Sequence, residues 1–133
     1  MVEKLNGTFM NEKAYQSFTE LEVWKKAREL KNEIKELTYS FPPEEKFKLT
    51  DQLIRASRSV TASIAEGHGR YTFKDQIHFC IIARGSLSET HNHLIDALDC
   101  NYINQERLEY FKLKIEAVER LLNGYISFLR KNL

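Results

Sequence analysis

Charged and small polar side chains form a stripe along residues 52–70, and a second charged group follows on the next predicted helix. The stripe's steps of three and four place its members on one side of a helix. Because an unpaired buried charge is costly, we expect ion pairs across helices or across subunits. The expected pairs are Arg55 with Glu89, and Glu66 with Arg84. Such pairs would hold a bundle or an assembly together; the alternative is that the stripe binds a ligand or a nucleic acid.

The stripe ends in a glycine-flanked turn, residues 67–71, that carries His68, Arg70 and Tyr71. The turn precedes the N-terminus of the next predicted helix, and helix N-termini attract anions. Arginine and tyrosine side chains suit contact with phosphates and bases. The turn therefore predicts a nucleic-acid contact. The alternative is that its glycines simply end the helix by adopting the left-handed conformation.

Histidine, cysteine and serine residues form no recognisable metal-binding or catalytic motif. Glu89 and His93 share a helix face, but no second pair completes a zinc site and HExxH is absent. Cys80 falls on an apolar stripe, which favours a core residue over a nucleophile. Ser86 has no general base at a recognisable spacing. We therefore expect no metal, no cofactor and no enzymatic activity.

Helical periodicity covers most of the chain and predicts four helices, at about 22–39, 50–66, 72–98 and 105–131. In the fourth helix the apolar residues alternate in steps of three and four, the pattern of a bundle seam. These residues are Leu108, Phe111, Ile115, Val118, Leu122, Tyr125 and Leu129. Small residues on the second and third helices predict close packing there, and Gly85 predicts close approach of another backbone. Short connections between such helices predict an all-α, antiparallel up-down-up-down four-helix bundle.

Composition fits one helix-rich domain, with 42% hydrophobic and 29% charged residues in a chain of 133. The net charge of +1 gives no overall electrostatic case for a nucleic-acid protein. The mixed lysine and glutamate side chains within residues 25–35 indicate a solvent-exposed surface. No signal peptide or membrane span is recognisable, and two unpaired cysteines fit the cytoplasm. We expect a flexible tail at 1–17 and the bundle at 18–133.

Several short motifs, taken together, resemble a known family. They include FTELEVWKKA (18–27), FPPEEKFKLTDQLIRAS (41–57), SIAEGHGR (63–70) and FCIIARGSLSET (79–90). As a set they are similar to the four-helix-bundle family of 23S rRNA intervening-sequence proteins, over residues 18–130. Ser63 stands where that family usually has asparagine, which removes an amide from this position.

The resemblance implies a homopentameric ring, a bacterial source and no enzymatic activity. The family is similar in fold to the accessory protein of diversity-generating retroelements, which binds nucleic acid and a reverse transcriptase. We therefore expect an oligomeric binding or assembly protein that contacts RNA or DNA. The alternative is a structural oligomer or protein-partner adaptor, for example for a reverse transcriptase or another mobile-element protein, with no nucleic-acid role. The expected binding or inter-subunit residues are Arg55, Glu66, His68, Arg70, Arg84 and Glu89.

Overall fold

Four α-helices account for most of residues 16–133, the part of the chain that the structure, a computed structural model, describes. They are α1 (Glu22–Thr38), α2 (Leu49–His68), α3 (Phe73–Asp99) and α4 (Gln105–Lys131). Single 3₁₀ turns at Phe18–Glu20 and Pro43–Glu45 precede α1 and α2, and no strand occurs within these described residues. Residues 1–15 of the predicted tail lie outside the described residues.

The helices enclose one apolar core. Each helix packs against the next along the chain, and α1 also packs against α4. Every helix contributes fully buried side chains to this core, among them Leu30, Ile34, Leu53, Leu94 and Phe111. The predicted all-α four-helix class is confirmed. Within residues 16–133, the helices are all too short or too polar to cross a membrane.

The seam predicted for α4 is buried at every position except Tyr125, which is half-buried. Its neighbour Ile126 is buried instead. A straight α-helix drifts by about 20° per heptad from a strict seven-residue repeat, so two adjacent positions compete for the core near the end of a long helix. Isoleucine takes the inner place because the tyrosine hydroxyl requires a polar partner or water.

The helices α2 and α3 form the most extensive helix pair, as their small residues predict. The hydroxyls of Ser59 and Ser86 lie 2.8 Å apart across this contact. Towards the end of α2, Gly67 is buried against α3, and a methyl group placed there would lie 2.8 Å from Phe79 Cβ. Small side chains at these positions therefore allow the two helices to approach closely.

The structure bears on two expectations about glycines. Among residues 16–133 no neighbouring backbone approaches Gly85, because a methyl group there would meet nothing within 4 Å, and approach by another subunit stays a prediction. The second helix was expected to end at Gly67 and Gly69 in left-handed conformations, but α2 continues through Gly67 to His68. Gly69 is the C-cap in the right-handed region, with φ −80°. The glycine at position 67 is therefore explained by its packing against α3, and not by a left-handed turn at the end of the helix.

The connection after α3 closes with the left-handed residue Asn101, at φ 63°. Its N–H donates to the Leu98 carbonyl, and the Tyr102 N–H donates to the Ala97 carbonyl, both at 2.9 Å, which together form a Schellman motif. The Tyr102 ring then packs on Phe41, at 5.4 Å between centroids. The connection between α3 and α4 therefore lies beside the connection between α1 and α2.

Candidate nucleic-acid interface

Arg70 is held in place by its surroundings immediately after α2. Its guanidinium donates to the Glu66 carboxylate at 2.8 Å and lies over the Phe79 ring, 4.6 Å from the centroid. Its backbone carbonyl accepts a hydrogen bond from Gln76 Nε2 at 3.1 Å. The side chain remains 45% exposed. A stacked, paired guanidinium that still faces water is preorganised to meet a phosphate or a base.

Tyr71 follows Arg70 and is fully exposed. The helix α3 begins two residues later, where the Thr72 hydroxyl accepts a hydrogen bond from the Asp75 N–H at 3.1 Å. This cap and the acidic Asp75 already satisfy part of the helix N-terminus, so the anion attraction expected there is reduced. What remains at this corner is a fixed cation beside an exposed aromatic ring. We call Arg70 and Tyr71 the basic corner.

His68, two residues before Arg70, is half-buried. It lines a depression at this end of the bundle together with Phe73, Gln76, Tyr125 and Phe128. Burial lowers the pKa of His68 below its ordinary value, so the imidazole is neutral near pH 7. A neutral, half-buried histidine adds no positive charge to a phosphate contact.

The cross-helix ion pairs expected within the chain do not form. Arg55 lies 3.9 Å from Asp51, and Glu89 lies 3.2 Å from His93, each pair on a single helix. Glu66 pairs with Arg70. Within residues 16–133, no contact of 4.0 Å or less joins Arg55 to Glu89, or Glu66 to Arg84.

The small residues between α2 and α3 explain why the expected ion pairs are absent. The centre of the α2–α3 contact is occupied by the Ser59–Ser86 hydroxyl pair, and the long charged side chains flank it where water keeps them hydrated. Arg55 is 76% exposed at its side chain. Arg84 lines a shallow groove with Ile81, Gly85 and Glu119. Pairing of these charges across subunits stays a prediction.

A second basic cluster lies on α1 and α2, where the sequence indicated only solvated surface. It consists of Arg28, Lys31 and Lys35 on α1 and Arg58 on α2, and we call it the cationic ridge. The pKa of Lys31 lies below its ordinary value because of burial and because Arg58, Arg28 and Lys35 repel its charge. The spacing of the three α1 cations was visible in the sequence, but their approach to Arg58 depends on how the two helices pack.

The helical bundle carries the basic corner at one end and the cationic ridge on α1 and α2. Within residues 16–133, no group of three or more His, Cys, Asp or Glu side chains is placed to hold a metal ion. The family described as 23S rRNA-intervening sequence protein matches residues 19–124, and the chain belongs to this family.

A solved structure supports the same assignment. It is the crystal structure of a protein of unknown function from the S23 ribosomal protein family of Bacteroides thetaiotaomicron VPI-5482. That protein is 27% identical to this chain, with a TM-score of 0.71, and the match covers 78% of this chain and 97% of that one. No curated protein matches the chain significantly.

Proposed function

We propose that this protein is a non-enzymatic, homo-oligomeric binding protein that contacts RNA or DNA through positive surfaces repeated around the assembly. The observation that carries the proposal is the basic corner, where Arg70 is fixed by Glu66 and Phe79 beside a fully exposed Tyr71. Guanidinium groups bind phosphates with defined geometry, and exposed aromatic rings stack on unpaired bases. Membership of a family encoded with 23S rRNA insertions favours a nucleic-acid ligand.

We infer an antiparallel up-down-up-down bundle as the subunit. Connections of four or five residues join α2 to α3 and α3 to α4, which requires neighbouring helices to reverse direction. The contact between Phe41 and Tyr102 supports this arrangement, because it brings together connections that belong to the same end of such a bundle. The hydrogen bond from the Tyr102 hydroxyl to Glu45, at 2.6 Å, agrees with it.

The proposed assembly is a homopentameric ring. Several large apolar side chains exposed on α3 and α4 support self-association, because burial of apolar surface between subunits is favourable. They are Ile81, Ile82, Ile95, Leu113 and Phe128. The subunit number comes from the family resemblance. In a closed ring each weak contact with a long nucleic acid is repeated, so avidity raises the total affinity without any new contact.

No residue is assigned a catalytic role in this proposal. Burial raises the pKa of the Cys80 thiol to about 11, so it is a poor nucleophile. In this proposal the protein binds a nucleic acid or brings it to other molecules. Its affinity for the nucleic acid therefore comes from surface charge and from stacking of bases on aromatic rings.

The experiment that tests the proposal measures the mass of the assembly alone and with a structured 23S rRNA fragment, at low and moderate salt. The variants Arg70→Gln and Tyr71→Ala should weaken binding, while the exposed, matched variant Arg120→Gln should not. Arg70→Lys keeps the charge but loses the planar stack on Phe79, so it should retain only part of the affinity. Wild-type protein that ignores RNA and DNA at both salt concentrations would overturn the nucleic-acid role.

The second candidate is a structural oligomer or protein-partner adaptor without nucleic-acid binding. One observation favours it: an apolar groove between α1 and α4 lined by Tyr110, Leu113 and Ala117, in which Leu113 is 66% exposed. A protein partner that remains bound after nuclease treatment, and is lost with Leu113→Ser, would support this candidate over the first.

A further inference from the structure

We propose that the cationic ridge is a second binding site for this protein, which takes the phosphate backbone of a nucleic acid. The inference rests on the proposed function for the class of ligand, but it uses none of the residues of the basic corner. Its members are Arg28, Lys31, Lys35 and Arg58.

The ridge is linear because of its helical spacing. Trp24, Arg28, Lys31 and Lys35 follow one another at steps of four, three and four, which keeps them on one side of α1. The three cations span about 10 Å along the helix axis, at about 1.5 Å per residue. Arg58 extends the cluster onto α2, a helix that packs against α1, and it lies near enough to Lys31 for its positive charge to act on that ammonium group. A row of cations of this kind suits a row of phosphates better than a single anion.

One end of the ridge is fixed by aromatic packing. The Arg28 guanidinium carbon lies over the Trp24 ring, 5.6 Å from the ring centroid. The Trp24 and Phe18 rings form an edge-to-face pair with their centroids 5.2 Å apart. A guanidinium that is stacked in this way loses less conformational freedom when it binds than a free surface side chain does.

Two acidic residues of α1, Glu29 and Glu33, pair with lysines that do not belong to the ridge. Glu33 lies 2.6 Å from Lys114 on α4 and accepts a hydrogen bond from the Tyr110 hydroxyl. Glu29 lies 3.6 Å from Lys26. As a result, no ridge cation has a carboxylate within 4.0 Å in the part of the chain that the structure describes. The fold thus pairs Glu33 of α1 with Lys114 of α4, while Arg28, Lys31 and Lys35 have no carboxylate partner among residues 16–133.

The ridge has an electrostatic cost that an anion would remove. Like charges three and four residues apart destabilise a helix, and here burial together with repulsion by Arg58, Arg28 and Lys35 lowers the pKa of Lys31. A phosphate backbone laid along the ridge would neutralise several of these charges at once and release its own counterions. An extended acidic peptide also carries a row of negative charges, but the phosphate backbone is favoured because guanidinium groups bind phosphates in a defined two-point geometry.

The test uses the full chain and the double variant Arg28→Gln/Arg58→Gln. Binding to a labelled single-stranded RNA, to DNA of the same sequence and to a polyglutamate peptide is measured as a function of salt. The nucleic-acid affinity should fall about tenfold at moderate salt, and the slope of log K against log salt should decrease by about 2. The RNA and DNA arms show which backbone is preferred.

The matched control is Arg120→Gln/Lys131→Gln, which removes the same charge from exposed positions on α4. It should bind as the wild type does. Circular dichroism and assembly mass verify that both double variants fold and associate. As a second measurement, bound RNA should protect Lys31 from acetylation, read by mass spectrometry, while it leaves Lys131 reactive.

Each outcome is decisive. If the ridge variant binds nucleic acid as tightly as the wild type while Arg70→Gln does not, the ridge proposal is overturned and the proposed function stands. If the wild type binds neither RNA nor DNA, both are overturned. Binding of polyglutamate, but not of nucleic acid, that is lost in the ridge variant would make the ridge a site for an acidic protein and would also overturn both.

Discussion

The backbone of Gly67 on α2 packs directly against the side chain of Phe79 on α3, which in turn supports the guanidinium of Arg70. A methyl group at Gly67 would lie 2.8 Å from Phe79 Cβ and 3.3 Å from the Gln76 carbonyl oxygen. Neither atom is the far end of a flexible side chain, so relief of this contact requires the helices to shift. The geometry of the basic corner therefore depends on a glycine that carries no chemistry of its own.

Gly67→Ala should lower the free energy of unfolding. Overpacking of a close contact costs about 1–3 kcal/mol, and the better helix propensity of alanine recovers at most about 1 kcal/mol. We expect a net loss of about 1–2 kcal/mol in urea unfolding monitored by circular dichroism. An unfolding free energy equal to that of the wild type would show that α2 and α3 do not approach as closely as described.

Gly85→Ala is the matched substitution in open space. A methyl group there meets nothing within 4 Å among residues 16–133, so only helix propensity changes, and stability should rise by about 1 kcal/mol. The measurement is the same urea titration at a protein concentration that keeps the assembly intact. A loss of stability together with dissociation would instead place Gly85 in a subunit contact.

These two glycines show what could be predicted from the sequence. The existence and order of the four helices follow from apolar spacing, and the buried stripe of α2, from Leu53 to Ile64, lies where that spacing places it. The sequence marks both Gly67 and Gly85 as small residues, but which one is packed depends on the rotation of α3. That rotation also leaves the side chain of Ile81 47% exposed.

The candidate site was predictable only where it depends on local sequence. Arg70 and Tyr71 were found because they follow a helix end. The expected cross-helix pairs do not form within the chain, because three of the four charges have a partner one turn away along the chain: Asp51 for Arg55, Arg70 for Glu66 and His93 for Glu89. The cationic ridge was missed because its positive character arises from how α1 rotates, with Glu33 turned towards Lys114.

The two cysteines should differ sharply in reactivity. Cys80 is buried and Cys100 is exposed, and burial raises the pKa of the Cys80 thiol to about 11. At pH 8 about one Cys80 in a thousand would be thiolate, the form that reacts. A disulfide reagent should therefore modify one thiol per chain quickly, and Cys100→Ser should abolish this fast phase. Rapid reaction of both thiols in the folded protein would contradict the buried position of Cys80.

The contact of Glu33 with Lys114 and Tyr110 should make part of the stability depend on pH. Burial opposes ionisation of Glu33, but hydrogen bonds from Lys114 and Tyr110 hold the pKa of its carboxyl below the ordinary value. A carboxyl whose pKa is lowered by folding contributes stability that is fully present above about pH 4.5, its unfolded value, and that is lost as pH falls through the folded pKa.

Glu33→Gln should therefore lower the unfolding free energy by about 0.5–1 kcal/mol at pH 7, and the difference from the wild type should shrink as pH falls from 4.5 through the folded pKa. Urea titrations at pH 7 and pH 3 measure both values. The control is Glu36→Gln, an exposed α1 carboxylate with no ion pair within 4.0 Å among residues 16–133, which should change little at either pH. A Glu33→Gln deficit that persists unchanged at pH 3 would mean that packing, and not the charge on Glu33, joins α1 to α4 here.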